Sequence, residues 1–204
     1  MQFNLPNSLT VARIVLVFLF LILAANAGPI DAETLTTRDL TVRVVAGIFA
    51  FIAGATDFFD GYLARRWNQV TDFGKLMDPL ADKIFITATM LILVEFRLMP
   101  AWIAVVVISR EFMVTGLRTL AVQKGVVIAA DRWGKVKTAL QMAMLFLAGI
   151  SWINLYDLRS DVVFGVRLWY LWLVFLWVIA IVTVGSGLRY FIVYRSLILD
   201  GAKK

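Results

Sequence analysis

Long apolar blocks separated by short polar segments run through the whole of this chain. A helix needs about 20 mostly apolar residues to cross a bilayer, and only helices and closed barrels span lipid. We therefore expect an all-α, polytopic membrane protein with a single domain over residues 1–204. The pattern predicts six transmembrane helices, at 9–25, 40–64, 75–97, 101–123, 137–155 and 162–194.

The first and the last block each carry an additional feature. The sequence AANAG at 24–28 resembles a signal-peptide cleavage site, but only Arg13 is basic before it and five further blocks follow. We therefore expect the first block to stay in place as a span. The last block, 162–194, is longer than a bilayer requires, so we expect it to tilt or to continue into the cytosol as far as Arg189.

Composition narrows the chemistry that the protein can perform. The chain is 61% hydrophobic and 17% charged, and it contains no cysteine and no histidine. Disulfides, the commonest zinc ligands and the usual neutral-pH base are therefore excluded. Any metal has to be held by oxygen, which favours magnesium, calcium or manganese. Acid–base work then falls to carboxylates or lysines.

The basic residues are distributed unevenly across the predicted membrane. An even number of spans puts both termini on one side, and that side holds fifteen of the 20 lysines and arginines. The positive-inside rule makes it the cytoplasm. The net charge of +6 is thus interpreted as facing anionic headgroups and cytosolic substrates, not nucleic acid. We expect a multi-pass membrane protein with both termini in the cytoplasm.

An acidic segment, DFFDGYLARRWNQVTDFGKLMDPLAD, occupies residues 57–82. At about 100° per residue, Asp57 and Asp60 share one helix face, and Asp78 and Asp82 share a face of the next helix. The connection RWNQVTDF between them, which contains Asp72, is short, so the two helices are antiparallel neighbours. Four carboxylates are therefore expected to meet near the inner membrane surface, in an active site at the cytoplasmic side.

Four unpaired carboxylates in a partly dry pocket would repel one another. Two divalent cations would balance them, and a magnesium pair suits phosphoryl transfer. The alternative, a solvated acidic loop, is disfavoured by the helical spacing beside glycine. The small residues Gly61, Ala64 and Gly74 either leave room for a ligand or allow close helix packing, and both interpretations stay open.

The pattern Asp57-x2-Asp60-Gly61-x2-Ala64-Arg65-x8-Gly74-x3-Asp78-x3-Asp82 resembles the signature of the CDP-alcohol phosphotransferase family at every fixed position. The resemblance implies six transmembrane helices, a homodimer, and displacement of CMP from a CDP-linked lipid or alcohol by a hydroxyl acceptor.

The resemblance also implies roles for single residues. Two divalent metals, Mg²⁺ or Mn²⁺, would be held by the four aspartates, with Asp57 and Asp78 bridging both ions. Asp60 would ligate one ion, and Asp82 would ligate the other and take the proton as the catalytic base. The N-terminal PNSLTVAR resembles a further family element. The implied CDP-diacylglycerol site consists of Asn7, Thr10, Arg13, Gly61, Ala64, Arg65 and Thr71.

Two further segments, SREFMVTGLR (109–118) and DRWGKVKTALQM (131–142), resemble members of the family that use glycerol 3-phosphate as the acceptor and make phosphatidylglycerol phosphate. Arg110 lies well inside a span, where an arginine needs a cavity or a partner. Lys135 and Lys137 point about 160° apart on a helix, so we expect both to contribute only if the helix begins late. The candidate acceptor-binding residues are Arg110, Arg118, Lys135, Lys137 and Arg189.

Other interpretations remain. The cations could bind lipid headgroups or pair with Glu111 and Asp131. Within the family, a cardiolipin synthase would use phosphatidylglycerol, and an inositol-phosphate lipid synthase would use a phosphorylated inositol. A divalent-cation transporter would spread its acids through the bilayer depth and carry inverted repeats. This sequence has one acidic cluster and no convincing internal repeat.

Overall fold

The computed structural model describes residues 5–28, 36–66, 72–126, 132–158, 161–163 and 165–195. Within these ranges the all-α prediction is confirmed. A two-stranded antiparallel hairpin, β1 (Val162–Val163) and β2 (Val166–Arg167), precedes the last helix. The helices are α1 (Leu5–Ala25), α2 (Thr37–Arg66), α3 (Asp72–Glu95), α4 (Ala101–Gln123), α5 (Arg132–Trp152) and α6 (Leu168–Val193).

Each predicted span corresponds to one helix, but the prediction for 162–194 was wrong at its start. Gly165, with a φ of +79°, lies between valine pairs that form the hairpin. Glycine adopts this conformation without the steric penalty that other residues incur, and β-branched valine suits a strand. The backbone N–H of Leu168 donates to the carbonyl of Asp161 over 2.9 Å, and α6 begins there. The helix has 26 residues, which is about 39 Å at 1.5 Å per residue.

Within the part of the chain that the structure describes, three helices are long and apolar enough to cross a membrane, over Ser8–Ala25, Thr37–Thr56 and Leu168–Val193. Their mean hydropathies are 2.5, 1.6 and 2.3. The helix α4 instead carries charged residues from its middle onward, including Arg110, Glu111 and Arg118. These side chains belong to the cavity described below.

The helices divide into two compact units. Unit 1 (residues 1–98 and 149–155) contains α1, α2, α3 and the last turn of α5. Val17, Ala53 and Ala88 form a buried cluster, to which each of the first three helices contributes one residue. A Cβ on Gly54 would lie 3.5 Å from Phe85, which is an ordinary van der Waals distance, so α2 and α3 pack directly against each other here.

Unit 2 (residues 99–148 and 156–204) contains α4, most of α5, the hairpin and α6. Trp102 packs against Trp177 with the rings tilted by 52° and their centroids 4.8 Å apart. Further along both helices, a Cβ on Gly187 would lie 3.2 Å from Cγ of Arg110. Because the contacting positions increase together along the two helices, α4 and α6 run parallel to each other.

Candidate active site

A cavity of about 510 Å³ opens in unit 2 against α4 and α5. Four of its lining side chains are basic and one is acidic, which gives a formal charge of +3. Four of the five predicted acceptor-binding residues are therefore brought together at one place. The lining residues are Arg110, Glu111, Arg118, Gly134, Lys135, Lys137, Thr138, Ala139 and Met142.

The expectation that Lys135 and Lys137 contribute together only if the helix begins late was wrong. The helix α5 begins at Arg132, before both lysines, and both nevertheless line the cavity. The face between them carries the short side chains of Gly134 and Thr138. Each lysine lies about 80° to one side of that face, and its long stem lets it reach the cavity. Lys137 is buried, whereas Lys135 is exposed.

Glu111 joins the two most buried cations of the cavity. Its Oε1 accepts a hydrogen bond from the ammonium of Lys137 and another of 3.4 Å from Nη1 of Arg110. The side chains of Lys137, Arg110 and Glu111 are 5%, 9% and 18% exposed. A buried cation is strongly unfavourable unless it is compensated, and one carboxylate oxygen here contacts two cations. The alternative that these cations pair with Glu111 is thus realised for Arg110 and Lys137.

Tyr190 of α6 contacts both arginines of the cavity, a role that sequence reasoning had missed. Its hydroxyl accepts a hydrogen bond of 2.7 Å from Nη2 of Arg118. The guanidinium carbons of Arg118 and Arg110 lie 5.6 and 5.8 Å from the centroid of its ring. Cations within about 6 Å of an aromatic face are attracted by its quadrupole. Tyr190 itself is only 3% exposed, so it contacts the two cations from their buried side.

Arg189, the fifth predicted acceptor-binding residue, is exposed and is not part of the cavity lining that the structure describes. Adjacent positions on a helix point about 100° apart. Because Tyr190 faces α4, Arg189 is directed to the side. Asp131, the other anticipated partner of the cations, lies outside the described residues.

The N-terminal element contributes a polar face to unit 1. Thr10 and Arg13 are each 1% exposed and lie one turn apart on α1, in line with Val17. Nε of Arg13 donates a long hydrogen bond of 3.5 Å to Oγ1 of Thr56. Thr56 immediately precedes Asp57, so the structure brings Arg13 beside the start of the acidic signature. Sequence reasoning had not named Thr56.

Other residues of the predicted nucleotide site are placed only by their position along the chain. Gly61, Ala64 and Arg65 lie in the last turns of α2. The side chain of Asn7 and the whole of Thr71 lie outside the described residues.

The four aspartates occupy the helices that the spacing predicted. Asp57 and Asp60 lie in α2, and Asp78 and Asp82 lie in α3. Five residues, 67–71, connect the two helices, and Asp72, expected in the connection, is the first residue of α3. Asp82 is half-buried.

Side chains of the other three aspartates lie outside the described set. Among the side chains that the structure does describe, no group of three or more potential metal ligands comes together. Clustering of the four carboxylates around two metals therefore stays a prediction.

Fold and cavity together define an α-helical protein with helices long and apolar enough to span a membrane and a basic cavity suited to an anionic ligand. The sequence profile of the CDP-alcohol phosphatidyltransferases matches residues 3–185. The chain belongs to this family, and the resemblance carried by the aspartate signature is confirmed.

Curated relatives match nearly the whole chain. The CDP-diacylglycerol–glycerol-3-phosphate 3-phosphatidyltransferase of Bacillus subtilis (strain 168) is 43% identical over 196 residues, covering 93% of this chain and 94% of the relative. The protein of the same name from Haemophilus influenzae is 35% identical over 207 residues and covers 98% of both. That of Shigella flexneri serotype 5b is 33% identical over 210 residues, covering 98% and 100%.

Proposed function

We propose that this protein transfers the phosphatidyl group from CDP-diacylglycerol to glycerol 3-phosphate, giving phosphatidylglycerol phosphate and CMP, a step of phospholipid biosynthesis. One observation carries the proposal: the chain has the family's aspartate signature and also a cavity lined by four basic side chains. The signature supplies the transfer chemistry of the family, and the cavity supplies a binding site for a phosphorylated acceptor. The names of the relatives supply the same pair of substrates.

The cavity favours an acceptor that carries a phosphate monoester. Such a group has a charge of about −1.5 to −2 at neutral pH and three acceptor oxygens. A formal charge of +3 around the cavity can neutralise it, and the guanidinium of Arg118 can bind two of its oxygens in a bidentate manner. Phosphatidylglycerol, the acceptor of a cardiolipin synthase, offers only a singly charged diester. An inositol phosphate also carries a monoester, so the names of the relatives decide between it and glycerol 3-phosphate.

In the proposed reaction a hydroxyl oxygen of glycerol 3-phosphate forms a bond to the β-phosphorus of CDP-diacylglycerol. The bond from that phosphorus to the bridging oxygen breaks, and CMP leaves with the bonding electrons. Asp82 takes the proton of the attacking hydroxyl. The chain has no histidine that could serve instead. Arg13, buried beside Thr56, would contact the cytidine diphosphate group from α1.

The aspartates are the groups that would hold the metal ions. The donor set of Asp57, Asp60, Asp78 and Asp82 consists only of carboxylate oxygens, on two helices that five residues connect, and such donors fit Mg²⁺ or Mn²⁺. Two bound ions would lower the pKa of the acceptor hydroxyl and balance the charge of the diphosphate. The four carboxylates would orient that pair and keep it at the reacting phosphorus.

All six helices are proposed to cross the bacterial cytoplasmic (inner) membrane, with both termini and the active site on the cytoplasmic side. Two observations support this arrangement. The helices α4 and α6 run parallel, so α5 has to cross back between them. Most lysines and arginines also fall on the side of the termini. A homodimer is proposed on the family resemblance.

An acceptor comparison tests the proposed function. Purified protein with CDP-diacylglycerol and Mg²⁺ would receive glycerol 3-phosphate, phosphatidylglycerol, inositol phosphate or no acceptor, and CMP release would be measured. We expect release with glycerol 3-phosphate at least a hundredfold above that with phosphatidylglycerol or with no acceptor, because a site built for a phosphorylated substrate rejects analogues by about 10⁴ or more when its polar groups stay unpaired. Inositol phosphate carries the same monoester, and we expect less release with it because the relatives are named for glycerol 3-phosphate. Release with a different acceptor would reassign the protein within the family. No release with any acceptor would contradict an enzymatic function.

A further inference from the structure

Glu111 is the only acidic side chain among the described residues that line the basic cavity. The reaction proposed above assigns it no role. It nevertheless makes the closest charged contacts in the cavity, because both Lys137 and Arg110 donate to the same oxygen, Oε1. The carboxylate is also more exposed than either of these cations, at 18% against 5% and 9%.

Lys137 and Arg110 both depend on this carboxylate. An ammonium that is only 5% exposed has little access to water, and an unpaired buried charge is strongly unfavourable. Nε of Arg110 is buried and has no hydrogen-bond partner among the described residues, so this guanidinium is already incompletely satisfied. Without Glu111, Lys137 and Arg110 would both lose the carboxylate oxygen to which they donate.

A phosphate monoester would require the same donors. Glu111 accepts from Lys137 and from Arg110, which are the two innermost cations of the cavity. A phosphate carrying nearly two negative charges next to this carboxylate would be repelled, since at short range two like charges raise each other's energy strongly in a partly dry site. The contacts that stabilise the empty cavity therefore compete with the contacts that bind the acceptor.

We infer that Glu111 is a resident counter-ion that the phosphate of the acceptor replaces on Lys137 and Arg110. The inference rests on the proposed acceptor site. Glu111 acts as a positioning residue that keeps both cations charged and in place while the cavity is empty. When a phosphate monoester enters, Lys137 and Arg110 donate to its oxygens instead of to Glu111.

The replacement of Glu111 by the acceptor phosphate also affects product release. The product phosphatidylglycerol phosphate keeps the phosphate monoester that came with glycerol 3-phosphate. The same cations therefore hold the product after the transfer. When Glu111 returns to Lys137, it competes with the product's phosphate and so speeds product release. Glu111 thus lowers the affinity for the acceptor and raises the rate at which the site empties.

The decisive experiment measures anion binding by Glu111→Gln protein in a neutral detergent, where no anionic headgroup competes. The probes are inorganic phosphate and glycerol 3-phosphate, each titrated in the absence of CDP-diacylglycerol. Because the variant lacks the competing charge, both should bind about tenfold more tightly than to the parent, an effect of the size of one charge-assisted contact. Glu111→Asp, which keeps the charge, should stay near the parent. Glu95→Gln, which removes an exposed carboxylate at the end of α3, controls for net charge.

Kinetics and a second substitution complete the test. In Glu111→Gln, both the KM for glycerol 3-phosphate and kcat should fall, because product release slows. In a Lys137→Met background, Glu111→Gln should no longer tighten phosphate binding, as expected if the two side chains act as a coupled pair. If the single variant is too unstable to purify empty, purification with phosphate present should recover it.

Weaker binding of both anions by Glu111→Gln, or unchanged binding, would overturn the inference and make Glu111 a fixed part of the phosphate site. Failure of the proposed function looks different. In that case glycerol 3-phosphate supports no CMP release by any variant, while the titrations with inorganic phosphate still distinguish Glu111→Gln from the parent.

Discussion

Arg118 of α4 donates a hydrogen bond of 2.7 Å to the hydroxyl of Tyr190 of α6, although the two residues lie 72 positions apart in the chain. The guanidinium also lies over the tyrosine ring. Tyr190 is buried, whereas Arg118 lines the basic cavity. A ring in the core of unit 2 therefore fixes the position of a cation at the cavity wall.

Removal of this hydroxyl should weaken acceptor binding selectively. Tyr190→Phe keeps the ring and deletes one hydrogen bond to a charged donor. We expect the KM for glycerol 3-phosphate to rise about 3- to 12-fold, with the KM for CDP-diacylglycerol within twofold of the parent. Tyr170→Phe, at the exposed start of α6, is the matched control. Identical KM values for Tyr190→Phe and the parent would show that Tyr190 does not position Arg118.

Substitution of Arg118 should raise the KM for glycerol 3-phosphate more than substitution of Tyr190, which positions it. Arg118→Ala removes a direct contact to the acceptor phosphate, so the KM for glycerol 3-phosphate should rise about 10- to 150-fold, as expected for a lost charge-assisted hydrogen bond. Steady-state kinetics with each substrate varied in turn measure this effect. Arg167→Ala, in the exposed hairpin, should behave as the parent does. Equal increases in both KM values would instead indicate a role in folding.

Six helices could be predicted from the sequence because lipid requires long apolar blocks, and such blocks are visible residue by residue. The residues at which α5 and α6 begin could not be predicted in this way. The segment VVFGV at 162–166 is apolar enough to be the first turn of a transmembrane helix. Only the conformation of Gly165 marks it as a hairpin. The helix α5 begins at Arg132 because helical structure continues into RWGKVK, a polar segment that a search for apolar spans leaves out.

The basic cavity was predictable in part. Arginines and lysines inside or beside apolar spans are conspicuous, and four of the five candidates do line one cavity. The neutral residues that position them carry no such signal. Tyr190 is one aromatic among many apolar neighbours in α6, and Thr56 is one small residue in α2, so only the packing of helices distant in sequence identifies their contacts.

Arg43 illustrates a structural role that the charge distribution could not disclose. It is 1% exposed and donates to the carbonyl oxygens of Gly28, at 2.6 Å, and Trp152, at 3.4 Å. Its guanidinium also lies 5.6 Å from the ring centroid of Phe96. One side chain thus connects the ends of α1, α3 and α5 within unit 1.

Arg43→Lys should destabilise the protein although it keeps the charge, because an ammonium cannot reproduce the planar fork. A loss of about 1.5–3 kcal/mol is expected for contacts to a charged donor. For a chain of this length that corresponds to a fall in Tm of about 3 to 12 °C. Thermal unfolding in detergent measures it, with Arg38→Lys at the exposed start of α2 as the control. Equal Tm values for the two variants would rule out this role.

Asp82→Asn tests the proton acceptor. The substitution keeps the size of the side chain and one oxygen ligand, but it removes the basic carboxylate. A positioned base contributes about 10²- to 10⁴-fold, so kcat should fall at least a hundredfold while CDP-diacylglycerol binding is largely kept. Turnover and lipid binding need to be measured on the same preparation. Turnover within a few-fold of the parent would exclude Asp82 as the base.

The central claim, metal-dependent phosphatidyl transfer to glycerol 3-phosphate, is tested most directly by following both products at once. Purified protein would receive CDP-diacylglycerol, labelled glycerol 3-phosphate and Mg²⁺, and CMP and lipid-extractable label would be measured together. We predict one labelled lipid for each CMP, loss of both with excess EDTA, recovery with Mg²⁺ or Mn²⁺, and no turnover by Asp57→Ala or Asp78→Ala. Full turnover in excess chelator, or CMP release without labelled lipid, would contradict the claim.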